Sequence, residues 1–305
     1  MKLKTLTLIA SLLFAGSLAL PAQHVLSDAP GKSYVYKHSG GKPREMEIYF
    51  PPGHDPAKDK VPGVILFHGG GWTSGSLSVF RKDCQYLASR GVVAATAGYR
   101  MLTKEERAKL PKGESNKSVC VIDGKSAIRW FKQHADELGI DPSRIVTGGG
   151  SAGGHISLLA TLNPGLNDPA DPKDIDTSVI AYVLFNPAFS PDDSKFADID
   201  AMKFLKADIA PAIAMYGTED RWLKGAKPVF ATLDQLGNTT TELWYAKGED
   251  HAFFNKEPWK TATLIAADRF LVEQGILQGE TTLTPPADGA KLIPASELPA
   301  ANPTP

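Results

Sequence analysis

The chain has 305 residues, 42% of them hydrophobic and 22% charged, with a formal net charge of −1. That is length and apolar content enough for one sizeable core, such as a single α/β domain of roughly 250 residues. Near-neutral charge removes the electrostatic case for nucleic acid or an anionic membrane surface as a partner.

Lys2 and Lys4 precede an apolar stretch, residues 6–20, and Pro21-Ala22 offers a small-residue exit, with Leu20 at the −3 position. The stretch is short for a spanning helix and has no stop-transfer flank, so a cleavable export signal over residues 1–22 is expected, an uncleaved anchor being the alternative. No cysteine lies nearby for lipid attachment. The folded domain is then expected over 23–278, in a periplasmic or secreted protein without stable membrane insertion. In an oxidising compartment Cys84 and Cys120 are a candidate disulfide, which spacing alone leaves open.

Residues 33–37 and 45–51 alternate apolar and polar, as half-buried antiparallel strands do. Residues 61–67 form a continuous apolar run, the mark of a strand covered on both faces, and end in His68-Gly69-Gly70-Gly71-Trp72. Helical spacing follows from 79 to 90, then a strand at 92–99, a charged connection at 101–118 and an amphipathic helix at 121–138 that Gly139 stops. The loop at 163–177 carries four aspartates without the spacing of a calcium loop, so a solvated connection is expected. Buried strands are expected at 180–185, 212–216 and 241–246, and a closing helix at 259–274. The stretch from 279 onward has six prolines and no aromatic residue, and reads as a flexible or docked tail.

Between the helix at 121–138 and the aspartate-rich loop lies the stretch on which the functional reading turns. A β-branched run enters Gly149-Gly150-Ser151-Ala152-Gly153 and an apolar helical segment follows, which is the strand–turn–helix context of a nucleophile elbow. A phosphate-binding loop is the competing reading, but the lysine it needs is missing. A serine hydroxyl needs a base, and in elbow-type enzymes the chain order is serine, acid, histidine. Five of the seven histidines precede Ser151, and His155 lies one helical turn beyond it, placed to pack. His251 remains as the base. Asp220 and Glu219 both qualify as the acid, since both follow the strand at 212–216, and Asp220 is the preferred one. The N–H of Ala152 and those of Gly70 and Gly71 are the expected donors to a developing oxyanion. His68 is expected to brace that loop.

Taken together, the His-Gly-Gly-Gly-Trp loop, Tyr99-Arg100, Asp141-Pro142, the serine elbow, Gly217-Thr218-Glu219-Asp220 and His251-Ala252-Phe253 resemble the α/β-hydrolase superfamily over roughly residues 44–274. Within it the resemblance is to the His-Gly-Gly-Gly esterase/lipase group, which is hormone-sensitive-lipase-like. It implies a doubly wound, mostly parallel eight-stranded sheet, with a small or absent lid because only about 25 residues separate Asn186 from Ala212. It also implies carboxylic-ester hydrolysis without cofactor or metal. Many relatives carry Asp before the nucleophile where this chain has Gly150.

The His-Gly-Gly-x-Trp form also resembles kynurenine formamidases and the feruloyl and acetyl-xylan esterases. Export favours the latter, so the expected substrate is a short-acyl ester, either a small molecule or an acetyl or feruloyl group on a polysaccharide. An amidase or peptidase on the same fold is the second reading, and a non-catalytic binding module the third.

Overall fold

The computed structural model describes residues 27–298; the proposed export signal lies outside them. Strands β1 (Lys32–Ser39) and β2 (Lys42–Tyr49) form an antiparallel hairpin, followed by β3 (Val61–Phe67), α1 (Arg81–Ser89), β4 (Val93–Ala97) and the short α2 (Lys104–Arg107). Next come α3 (Asn116–Gln133), the single turn α4 (Ala135–Leu138), β5 (Ile140–Gly150), α5 (Ala152–Leu162), β6 (Ala181–Phe185) and β7 (Ala212–Gly217). The chain continues through α6 (Leu223–Gln235), β8 (Thr241–Ala246), α7 (Trp259–Glu273) and the two-residue β9 (Ile293–Pro294). All nine strands join one sheet in the order β1-β2-β4-β3-β5-β6-β7-β8-β9. Pairing is parallel from β4 to β8 and antiparallel at both ends.

Period-2 alternation sorts the core. From β3, Val64 and Leu66 pack toward α1 and α7, while Ile65 and Phe67 pack toward α3 and α5. In β6, Val183 and Phe185 take the first face, and Tyr182 and Leu184 meet α5 and α6 on the second. With helices on both faces, these strands need no polar side, which is why their sequences read as unbroken apolar runs. The α6 helix breaks the pattern of an easily read helix, since Gly225 and Pro228 lie inside it. It forms because Leu223, Ala226, Val229 and Leu233 still make one buried stripe.

Three expectations are refined. The sheet has nine strands rather than eight, because the chain after residue 278 adds one. Residues 279–298 take the docked of the two forms read for the tail: Arg90 donates to the Gly279 carbonyl at 2.9 Å, Tyr86 and Thr281 share a hydrogen bond at 2.8 Å, and Ile293 pairs with Tyr245. The aspartate-rich loop is the exposed connection expected, and three of its four aspartates are in addition ion-paired. Asp168 pairs with Lys37, Asp171 with Arg129 at 3.1 Å and Asp176 with Lys132 at 2.6 Å, so basic groups of β1 and α3 take up its carboxylates. Between Asn186 and Ala212 there are only two 3-10 turns, Pro191–Lys195 and Ala201–Lys203, so the lid is small.

Cys84 and Cys120 are free thiols, both buried, one in the core on the α1/α7 face and the other in the core on the α3/α5 face. The intervening sheet forbids a bridge. Burial pushes both thiols well above their ordinary range, so neither serves as a nucleophile.

The connection after β4 is fixed by Asp123 of α3, whose carboxylate is fully buried. It accepts from the Arg100 backbone N–H at 2.8 Å, from the Arg100 guanidinium at 2.9 Å and from Lys37 at 3.0 Å. Removing the carboxylate leaves the largely buried Arg100 guanidinium without its ion-pair partner, whereas Lys37 keeps Asp168. Asp123→Ala is expected to lower the unfolding free energy by about 3–5 kcal/mol, read from urea denaturation; a loss under about 1 kcal/mol would show that water replaces the carboxylate at no cost.

Candidate active site

The four sequence-predicted segments meet at the carboxyl ends of β3, β5, β7 and β8, where ligands of doubly wound sheets bind. Ser151 sits between β5 and α5 with φ 52° and ψ −117°, a conformation unusual for any residue with a side chain. Hydrogen bonds hold it there: its N–H donates to the Phe185 carbonyl at 2.9 Å, and its carbonyl accepts from Gly154 at 3.1 Å and Ala188 at 2.9 Å. The turn works only with close approach, because a Cβ on Gly153 would run into the Phe67 carbonyl. A side chain at Gly150 would run into the ring of Phe254. That contact accounts for glycine at this position.

The Ser151 hydroxyl lies 2.7 Å from Nε2 of His251, and Nδ1 of the same ring lies 2.8 Å from Oδ2 of Asp220. A buried carboxylate only accepts, so Nδ1 carries the proton and donates to Asp220; Nε2 then accepts from the serine hydroxyl. Oδ1 of Asp220 accepts from the Trp222 backbone N–H at 2.8 Å, which leaves neither oxygen idle. Glu219 is exposed, and its N–H is used on the Glu249 carbonyl at 2.8 Å. The structure therefore brings together Ser151, Asp220 and His251, and leaves Glu219 outside.

Gly70 and Gly71 line the same cavity of about 410 Å³ as Ser151 and His251. Their N–H groups donate to no protein acceptor among the described residues, and Ala152 is the first residue of α5, where an N–H has no intrahelical partner. The loop is stiff. His68 stacks on Tyr99 with ring centroids 4.4 Å apart, its Nδ1 donates to the Gly69 carbonyl at 2.7 Å, and Tyr99 donates to the His68 carbonyl at 2.9 Å. Burial holds the His68 imidazole below its usual pKa, so it acts as a neutral brace. His155 is fully buried, donates to the Ile199 carbonyl at 3.1 Å, packs edge-on to Trp72, and is pushed by burial down to about 3. Among the described residues no group of three or more His, Cys, Asp or Glu could hold a metal ion.

The site holds one further residue. Asn186 follows β6 directly, and its fully buried amide nitrogen lies 3.1 Å from Nδ1 and 3.4 Å from Nε2 of His251. Its Oδ1 has no hydrogen-bond partner. The residue holds φ 39°, in the left-handed region that asparagine tolerates better than most. An asparagine closing a buried strand just before proline was the available signal.

A family model described as BD-FAE matches residues 46–186. Esterase 2 of Thermogutta terrifontis, in its paraoxon-phosphorylated form, superposes with a TM-score of 0.74 at 34% identity, covering 83% of this chain and 98% of that one. The chain belongs to the α/β-hydrolase esterase family. The propionate-bound form of the same esterase gives a TM-score of 0.73 at 33% identity over 83% and 97% of the two chains. The probable carboxylic ester hydrolase LipM of Mycobacterium tuberculosis is 28% identical over 78% of this chain and 62% of its own. The carboxylesterase NlhH of the same species is 33% identical, but the match spans only about a third (32%) of its length and 37% of this chain.

Proposed function

We propose that the chain is a serine carboxylic-ester hydrolase in which Ser151 is the nucleophile, His251 the general base and then acid, and Asp220 the group that orients it. The reading rests on one observation above the others, the unbroken relay of 2.7 Å and 2.8 Å from hydroxyl through imidazole to buried carboxylate. As Oγ attacks the ester carbonyl, its proton passes to Nε2, and Asp220 stabilises the imidazolium. The oxyanion accepts hydrogen bonds from Ala152, Gly70 and Gly71, each donor lowering the barrier by roughly 2.7–4 kcal/mol. His251 then protonates the leaving alcohol, and water attacks the acyl-enzyme by the same route in reverse.

Ser151→Ala is expected to reduce kcat/KM on p-nitrophenyl acetate by roughly four to six orders of magnitude, and paraoxon, which phosphorylates the Thermogutta esterase, is expected to label Ser151 of the native chain. Turnover unaffected by the alanine would end the proposal, and a folded chain that paraoxon leaves unlabelled would favour a binding module.

The proposed substrates are short-acyl esters, including acetyl or feruloyl groups displayed on a sugar chain. The small lid and a relative captured with propionate support this. Release of acetate or ferulate from xylan oligomers tests it; hydrolysis of simple esters alone would remove the polysaccharide assignment. A formamidase is the second reading, since the His-Gly-Gly-x-Trp loop resembles that group as well as the esterases, and faster turnover of N-formylkynurenine than of p-nitrophenyl acetate would establish it. Export to the periplasm or medium is part of the proposal, resting on the sequence of residues 1–22. A mature N-terminus at Gln23 or His24 is the expected result of N-terminal sequencing.

A further inference from the structure

Arg221 differs from every other arginine among the described residues. Each of the others donates to a carboxylate, carbonyl or hydroxyl, as Arg100 does to Asp123 and Arg90 to Asp268. Arg221 makes no hydrogen bond or ion pair with any of the described residues; its guanidinium carbon lies 5.7 Å from the indole of Trp222. It is exposed, and beside the imidazole it is the one ionisable side chain lining the cavity over Ser151. The neighbouring carboxylate of Asp220 is fully used on His251 and the Trp222 N–H, so it neutralises nothing there.

The location is fixed by the same turn that carries the acid. Trp222 neighbours both groups, its ring 5.7 Å from the guanidinium carbon and 6.0 Å from the ring of His251. An unpaired guanidinium on the wall of a concave, largely apolar pocket is a planar fork of donors matched to a carboxylate. Its field also attracts anions from solution. Nothing in the proton relay uses this charge.

We propose that Arg221 selects esters whose non-reacting part carries a carboxylate, seated beside the Trp222 indole. The inference rests on the serine-esterase reading and names its substrate class. The carboxylate has two possible sources, an acid-bearing acyl group or a uronic acid as the alcohol.

Matched pairs separate them: p-nitrophenyl hemiadipate against p-nitrophenyl hexanoate for the acyl side, and acetylated glucuronic acid against acetylated glucose for the alcohol side. The native chain is expected to favour the anionic member of one pair by roughly three- to tenfold in kcat/KM, chiefly through KM. That preference should weaken at high salt. In Arg221→Gln the ratio within that pair is expected to fall to unity or below, whereas Lys227→Gln, at an exposed position of α6, keeps it. Equal kcat/KM within both pairs, or a preference that survives Arg221→Gln, overturns the assignment while leaving the esterase intact. Failure to turn over any of the four, with Ser151 unlabelled by paraoxon, overturns the esterase reading and this inference with it.

Discussion

Ser151 occupies a backbone conformation that costs roughly 1–3 kcal/mol for a residue with a side chain. The architecture around it supplies the compensation. The Phe185 carbonyl at the end of β6 takes its N–H, the N–H groups of Gly154 and Ala188 take its carbonyl, and Gly153 lets α5 start against the end of β3. β5 is central in the sheet and α5 is nearly all buried, so the elbow cannot relax without disturbing both faces of the core. The hydroxyl is thereby lifted to the rim, within reach of side chains that arrive on β7 and β8.

The parts of this arrangement legible in the sequence were those where local chemistry and global packing agree. Parallel strands buried on both faces must be apolar throughout, so β3, β6 and β7 announced themselves. The elbow was legible because close approach leaves glycine no substitute, and the order of the histidines narrowed the base to His251. What stayed hidden lacked a local signature. α6 carries Gly225 and Pro228, and tertiary burial of Leu223 and Val229 overrides that poor propensity. β9 is two residues long and takes its existence from the edge of β8. The aspartates at 168, 171 and 176 look solvated until their partners on β1 and α3, dozens of residues away, are folded beneath them. Asn186 was invisible as a site residue for the same reason, since its neighbour on the ring is 65 positions distant.

Aromatic side chains order the pocket as much as the polar ones do. Phe254 fills the space beside Gly150 and stacks with Phe80 and Phe185, tying the histidine loop to the face that carries α1 and α7. On the other side Trp72 packs on His155 and Trp222, and Trp222 on His251. The cavity at Ser151 thus has one wall, Phe254, anchored in the core, while Gly70, Gly71, Arg221 and Asn255 form an exposed rim.

The two thiols, separated by the thickness of the sheet, leave the described chain without a covalent crosslink. Its unfolded ensemble is not shortened by any loop closure, so burial of the two apolar faces and the ion pairs beneath the aspartate-rich loop must carry the fold alone. Such a molecule has the same connectivity in a reducing solvent as in an oxidising one. It asks nothing of the thiol chemistry of the compartment in which it folds, and needs no oxidant to reach its native state.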